Sequence, residues 1–594
     1  MIDRATKLRW RRRVRLGRVA VEDFSVNTEE RLEKHLFKRL TRIYGVRRFI
    51  ASWLMLMALL ATGLVLQTRS LSGYYQSLQP VPGGTYTEGI IGSFTNANPL
   101  YASGGVDRAA ARLLFSGLLT YDQNNQLVGD LATGWTLDPT ELVYTFKLRQ
   151  DVKWHDGKPF TAADVVFTYA TIKNPDAKSP LQTSWTGIEV EQPDDYTVVF
   201  RLPSTLSAFP YAATNGIVPK HLLEKVPVNQ LRSTNFNTLE PVGTGPFKWD
   251  VIEVVGTDAD TRQQLLGMTA NDAYYKGAPK LNRLIIRTFR DETQLIDNFL
   301  ERKVDAMLGL NSLPDTISSL QGVENYSIPL TGEVLVFFNN SQEILADAKV
   351  RQALVKAADT KAIIASLDHH VIPADSPLLK KHLGYDPNIT QFPTNKAEAG
   401  ALLDAAGWVM GPDGIRLKGD KRLELKLKAQ ANSVYSKVTQ MLQAQWLEVG
   451  IDFEPRLLEE TEFQDAVALH EYDALLYGIS LGNDPDVFAY WHSSQASLIS
   501  SSRLNLSEYK STVADRALEA GRTRSEATLR AVKYKPFLEA WRNDAPALAL
   551  YQPRFLYITR GVLHGFEPRL MNNAVDRYNQ VENWMVREQE ANKP

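Results

Sequence analysis

Residues 142–169 read LVYTFKLRQDVKWHDGKPFTAADVVFTY, and the fold is read outward from them. Val143, Thr145 and Lys147 alternate with Tyr144, Phe146 and Leu148, the two-residue period of a strand with one buried face. Asp156-Gly157 supplies a turn, because glycine tolerates positive φ and aspartate bonds its own backbone. Thr161 stands three residues before Asp164 and opens the run Val165-Val166-Phe167, a capping box at a helix start. Strand, turn and capped helix make a scaffold unit. The chemistry must be sought elsewhere.

YTFKLR, VKWHDGKPFTAADVVFTY and the upstream LVGDLATGW together resemble the signature of family 5 extracytoplasmic solute-binding proteins. These are the peptide-, nickel- and oligosaccharide-binding receptors of ABC importers. The resemblance implies an α/β, two-lobed periplasmic-binding-protein-like fold of type II, with an extra subdomain in the first lobe. It also implies a monomeric receptor without cofactor, whose partners are a small solute (peptide, oligosaccharide or similar) and ABC permease subunits.

The totals agree with that class. A chain of 594 residues is too long for one ordinary core. Its 44% hydrophobic and 23% charged content is that of a globular protein. No cysteine is present, which removes a disulfide framework, a thiolate metal site, a Cys nucleophile and the cysteine that bacterial lipid anchoring requires. The near-zero net charge hides an asymmetry. Residues 1–48 hold 15 Lys/Arg against 6 Asp/Glu, and the remaining 52 and 62 leave the body acidic.

Residues 49–66, FIASWLMLMALLATGLVL, carry no charge over 18 positions, enough to cross a bilayer at the short end of the usual range. A cleaved signal peptide competes with this reading, but Gln67-Thr68-Arg69-Ser70-Leu71 is a poor cleavage site. Arg47-Arg48-Phe49 only faintly resembles a twin-arginine signal. The Arg-rich head predicts a cytoplasmic N-terminus, hence an uncleaved single-pass signal anchor with the body outside the cell. Within the head, Asn27 and Glu30 cap an expected helix with Leu32, Leu36, Leu40 and Ile43 on one face. That helix either lies on anionic lipid or is a solvated tail, and nothing aromatic or motif-like supports nucleic-acid binding.

Beyond the span, residues 68–82 read as a linker ending in Pro80-Val81-Pro82, and Gly83-Gly84-Thr85-Tyr86 opens the first strand. Gly243-Thr244-Gly245-Pro246-Phe247 resembles the family's return into the first lobe, and residues 271–308 continue the resemblance. VLVFFNN at 334–340 suits a strand covered on both faces, crossing between lobes. Asn395 caps a helix over 397–406 that Gly407 ends. Leu423, Leu425 and Leu427, then Val434 to Trp446 at helical spacing, then Ile451-Asp452-Phe453 form a βαβ unit with parallel pairing. A final return is expected near 547–551. The expected division is therefore a tail (1–48), a span (49–67), a linker (68–82), lobe I (83–125, 238–333 and 548–594), a lobe I subdomain (126–237) and lobe II (334–547).

Catalytic motifs are missing: no HExxH, G-x-S-x-G, Walker loop or dinucleotide fingerprint. His369-His370, with His382 downstream, is the one tight histidine pair, and a surface loop is favoured over a metal site. Asp194-Asp195 and Glu459-Glu460 read as solvated rather than catalytic. No enzyme activity, metal or cofactor is expected.

The expected ligand-binding residues follow from the resemblance: Tyr101, Ser103 and Gly104 in a cleft loop, Asn339 at the crossing strand, and Tyr477, Ser480, Leu481, Asn483, Asp484 and Trp491 in a strand and loop lining the cleft. In oligopeptide- and dipeptide-binding members, an acidic residue four positions before the loop proline pairs with the peptide's α-amino group. Here that position is Leu481. A buried ammonium without a carboxylate is costly, so capture of free-N-terminus peptides is in doubt. Asn483, Asp484 and a stacking Trp491 would instead serve a sugar, a blocked peptide or a larger solute, or Asp484-Pro485 simply shapes the loop. The function expected is solute capture and delivery to an ABC importer, with a sensor or chaperone-like domain as the alternative.

Overall fold

The computed structural model describes residues 8–9, 11–15, 17, 47–258, 261–310, 312–367, 371–496 and 504–592. The expected helix around Leu32 to Ile43 and the pair His369-His370 lie outside them. Two units are distinguished, Met1–Gln79 with Glu588–Pro594, and Pro80–Arg587.

In the first unit, one helix runs Arg47–Tyr75, and Arg48–Arg69 is long and apolar enough to cross a membrane. Its 29 residues rise about 44 Å, more than the ~30 Å of a hydrocarbon core. The expected linker over 68–82 is a different structure: the helix continues to Tyr75 and a strand, Gln76–Val81, follows and pairs with Arg587–Asn592. The polar run Gln67-Thr68-Arg69-Ser70 thus extends the helix instead of breaking it, since it contains neither Gly nor Pro.

The second unit holds two large sheets. The first has the strand order Val323–Pro329, Arg554–Arg560, Ala306–Leu308, Thr85–Ile91, Arg283–Phe289, Gln263–Ala270 and Phe247–Val255. The second has the order Ile372–Pro373, Ala547–Gln552, Gly332–Phe338, Ala474–Ser480, Glu424–Gln430 and Asp452–Leu458. The chain crosses between them twice, from Val323–Pro329 into Gly332–Phe338 and back from Ala547–Gln552 into Arg554–Arg560. All seven residues of Gly332–Phe338 are buried, as its apolar run requires. The strand expected to begin lobe I near 548 pairs with Gly332–Phe338 of the second sheet, so the return falls at Pro553. There the two crossings are tied together: Leu330 N–H donates to Pro553 O at 3.0 Å, and the Gln552 amide donates to Leu330 O at 2.7 Å.

The sequence unit at 142–169 forms as its pattern demands. Val143–Leu148 buries Tyr144, Phe146 and Leu148 and pairs antiparallel with Thr197–Arg201 in a four-stranded sheet. The helix Ala162–Lys173 follows, with a capping box in which the Asp164 carboxylate accepts from Thr161 N–H at 3.0 Å. The same carboxylate accepts from Lys220 N–H and from the Trp154 indole, which explains its use as a scaffold. His155 docks this subdomain on the first lobe. Its Nδ1 accepts from Gly243 N–H and its Nε2 bonds Gly245 O, both at 3.1 Å, and burial lowers its pKa to about 4. A Cβ at Gly243 or Gly245 would run into the Leu114 carbonyl, so this return point needs glycine.

In the second lobe, Glu424–Gln430, the helix Ser433–Leu447 and Asp452–Leu458 form the expected parallel βαβ unit. Asn395 caps Lys396–Ala405 by accepting from Glu398 N–H, and Gly407 leaves it at φ +85°. The first lobe's core closes over a buried ion pair, Arg577 with Glu88 at 2.9 Å, to which Tyr557 adds a 2.6 Å bond.

Candidate functional site

The two lobes face each other where the segment after Ala474–Ser480 meets the subdomain. Asn483 Nδ2 donates across to Asn125 O at 2.8 Å, and Ser207 N–H and Oγ both donate to Arg522 O at 3.0 Å. Ser525 bonds Glu141 in the same way. Asn125 and Asn572 exchange amide bonds of 3.0 and 2.9 Å, and Thr331 Oγ1 donates to Asn572 Oδ1 at 2.9 Å. This asparagine cluster links the first and last segments of the first lobe, the crossing itself and the loop after Ala474–Ser480. Between the subdomain and the second lobe lies a cavity of about 440 Å³, with Leu206 and Phe209 on one wall and Asp486 and Arg522 on the other.

The charged residues of this face are already paired. Arg530 holds Asp484 bidentately at 2.7 and 2.8 Å, with both residues buried. Burial opposes the arginine's charge, but the bonds from Asp484 outweigh it and hold its pKa above the usual value. Arg522 pairs with Asp486 at 3.1 Å and stacks on Phe488 at 4.0 Å. Burial raises the Asp486 pKa, against the pull of Arg522.

The arrangement is a pair of walls on two lobes joined by two crossings, built around a space rather than around a nucleophile. Among the described residues no group of three or more His, Cys, Asp or Glu is placed to hold a metal. A family model described as bacterial extracellular solute-binding proteins, family 5 Middle, matches residues 126–498, well over half of the chain.

The chain belongs to this family of solute-binding proteins.

Its relatives include the oligopeptide-binding protein AppA of Bacillus subtilis, 27% identical over 86% of this chain and 92% of its own length. A putative ABC transporter peptide-binding protein of Brucella ovis is 28% identical over 78% of this chain and 86% of its own. Among solved structures, NikZ of Campylobacter jejuni in complex with Ni(L-His) superposes with TM-score 0.74 at 28% identity, over 84% of this chain and 99% of that one. AppA of Bacillus subtilis in complex with a nonapeptide gives 0.71 at 26%, over 86% and 100%. The two sheets and their two crossings are thus the two lobes of the periplasmic-binding-protein fold.

Within this family-5 receptor, the residues expected at the site separate into three groups. Asn483 and Asp484 stand on the interlobe face, the first bridging lobes and the second locked by Arg530. Ser103 is exposed and lines a first-lobe cavity of about 510 Å³ with Pro99, Arg108, Tyr211 and Asn215. Gly104 beside it caps the helix Gly105–Leu114. Tyr101 is buried nearby under Arg232, and its hydroxyl has no hydrogen-bond partner among the described residues.

Tyr477 and Ser480 lie on the strand Ala474–Ser480. Tyr477 is half-buried near Phe463, with ring centroids 5.8 Å apart, and Ser480 is exposed. Leu481 is 8% exposed and packs in an apolar cluster with Ile479 and Val487.

Two of the expected residues are buried away from this face. Asn339 is buried at the far end of Gly332–Phe338, about 23 Å from the crossing by strand rise, where its amide donates to Tyr472 O at 3.2 Å. Trp491 offers no stacking platform. It is fully buried, stacked on Phe337 at 5.6 Å and edge-on to Trp541 at 5.8 Å.

Sequence reasoning missed Asn125, Asn572, Tyr211, Arg530 and Tyr435. Tyr435 lies against Gly478 beside Tyr477, and neither phenol has a hydrogen-bond partner among the described residues. Tyr490, whose pKa burial and then Tyr477 push up to about 12, donates to Ser480 O at 2.7 Å. A positive φ at Asn125, +60°, is foreshadowed only by the turn Asn124-Asn125. The others carry no local signal.

Proposed function

We propose that this protein captures a peptide-like solute between its lobes and delivers it unchanged to an ABC permease. The observation that carries the reading is the pair of facing walls on lobes joined by two adjacent strands, in a chain related to AppA and to peptide-binding proteins. Two adjacent crossings form a hinge, and solute contacting both walls favours the closed geometry. Unpartnered phenols at Tyr435 and Tyr477 supply hydrogen bonds and apolar faces suited to a peptide backbone. The position that would meet an α-amino group is Leu481, and the carboxylates of Asp484 and Asp486 are already held by Arg530 and Arg522. The solute is therefore held without a carboxylate at its amino end. The receptor works as a monomer, anchored by Arg48–Arg69 with its basic head in the cytoplasm and its body outside.

Full-length protein purified from its own cells tests this. Native mass spectrometry should show one non-covalent solute per monomer, released with unchanged mass on denaturation. A solute altered by incubation with the protein contradicts the binding role. Amino-terminal sequencing of the same sample should exclude cleavage, and a start between Thr68 and Thr85 contradicts the anchor.

A further inference from the structure

Two arginines stand beside the hinge. Arg554 opens the first strand after the return crossing, and Arg569 lies on the segment preceding Asn572. Each is half-buried, and neither side chain makes a hydrogen bond or ion pair among the described residues. The Arg554 Nε is fully enclosed with no acceptor. Burial lowers the Arg569 pKa. Asp576, Glu567 and Asp122 act on Arg569 only at a distance and against the repulsion of Arg112, and a half-buried guanidinium without a hydrogen-bonded anion is unfavourable, so two on one cavity favour an acceptor from outside the chain.

That cavity measures about 510 Å³ and is walled by both lobes. Arg554, Arg569, Ile328 and Leu570 come from the first, and Ile372, Leu379, Lys380 and Lys381 from the second. No carboxylate lines it among the described residues. Lys380 has Asp375 only at 3.9 Å, and Lys381 is exposed. The floor between these cations is apolar. His382 and Asn483 border the cavity but are engaged, the histidine with Gly482 O at 2.9 Å and the amide with Asn125 O. Tyr435, Tyr477 and Ser480 do not line it, whereas Asn483 and Thr331 of the interlobe asparagine cluster do, so this site adjoins that cluster.

We infer that the hinge cavity binds a small organic anion with an apolar body, distinct from the solute between the walls. The anionic end accepts from the guanidiniums of Arg554 and Arg569, with Lys380 and Lys381 at the rim, and the apolar body covers Ile328, Leu379 and Ile372. A planar guanidinium pairs bidentately with carboxylate or phosphate oxygens. Because its walls belong to both lobes, an occupant also favours the lobe geometry in which the cavity is complete.

Phenyl phosphate is a suitable probe, since it joins a dianion to one apolar ring. Calorimetry on the full-length protein in detergent should show one phenyl phosphate bound per chain, at least tenfold tighter than inorganic phosphate. Arg554→Gln and Arg569→Gln should each weaken binding tenfold or more. Lys381→Gln, at an exposed position that cannot disturb folding, should weaken it severalfold. Saturation with phenyl phosphate should leave the co-purifying solute in place. Three results overturn the inference: no binding, equal binding of inorganic phosphate, or affinity unchanged in Lys381→Gln and in whichever arginine variants fold. Displacement of the co-purifying solute overturns it too, by assigning the probe to the interlobe space.

Discussion

Asp484 and Arg530 lock each other across the loop that lines the interlobe face, with both carboxylate oxygens engaged at 2.7 and 2.8 Å and both residues buried. The aspartate in the loop Gly482-Asn483-Asp484-Pro485 therefore fixes the loop's position and is not free to meet a solute. Removing one partner leaves the other as a buried, unpaired charge, which costs about 3–5 kcal/mol. Arg530→Met should lower the unfolding free energy by that amount in denaturant titration, and Asp484→Asn combined with Arg530→Met should recover most of it.

Leu481 is packed among Ile479 and Val487, and we propose that it stands where a peptide's amino group would come to rest. Wild-type protein should bind matched free and N-acetylated oligopeptides within about threefold of each other, because no free carboxylate rewards the ammonium. A hydrogen bond to a charged group is worth roughly 1.5–3 kcal/mol, about one to two decades. Leu481→Asp should cost about 2 kcal/mol or more in stability, since the new carboxylate enters an apolar cluster. Free-N-terminus peptides should then raise its Tm more than acetylated ones. Calorimetry and thermal unfolding with the peptide pairs measure both effects.

Glu333 sits on the first crossing strand, fully buried, with neither carboxylate oxygen hydrogen-bonded among the described residues. Burial first, and then Asp375, push its pKa well above the ordinary carboxylate range. The folded state thus holds this proton more tightly than the unfolded one, so the group contributes a loss of stability as pH rises above its unfolded value of about 4.3. Glu333→Gln removes that loss. The variant's advantage in unfolding free energy should be absent near pH 4 and grow by about 1.4 kcal/mol per pH unit until the folded pKa is reached. Denaturant titrations from pH 4 to 8 give the slope.

Asn483 bridges the lobes through its amide to Asn125 O. Asn483→Ala should leave folding stability within about 0.5 kcal/mol. Solute should nevertheless dissociate two- to tenfold faster, as loss of a net ~0.5–1.5 kcal/mol hydrogen bond in the closed state requires. Stopped-flow release of the co-purifying solute reports this directly.

Much of the fold was legible because its elements follow local rules. Val143–Leu148 alternates, Asn395 and Thr161 cap, and the run at 334–338 is apolar on both faces, so each element is encoded within its own few residues. The segment after Leu66 was misread because polarity suggested a linker, whereas nothing in it breaks a helix. The site was less legible because its contacts join residues far apart in sequence. Asn125 meets Asn572, and Asp484 meets Arg530, over separations of 447 and 46 positions. Trp491 illustrates the converse. An aromatic residue next to a binding loop is as well suited to core packing, and only the burial against Phe337 and Trp541 decides it.

Closure of the two lobes on a solute is the central claim, and the lack of native cysteine makes it directly measurable. Asp195→Cys on the subdomain and Gln440→Cys on the second lobe are both exposed positions for spin labels. Pulsed electron–electron distances on the full-length doubly labelled protein should give one narrow, short distribution with the co-purified solute bound. After the solute is removed by unfolding and refolding, the distribution should become longer and broader, and re-adding solute should restore the first. Identical distributions with and without solute would contradict the account.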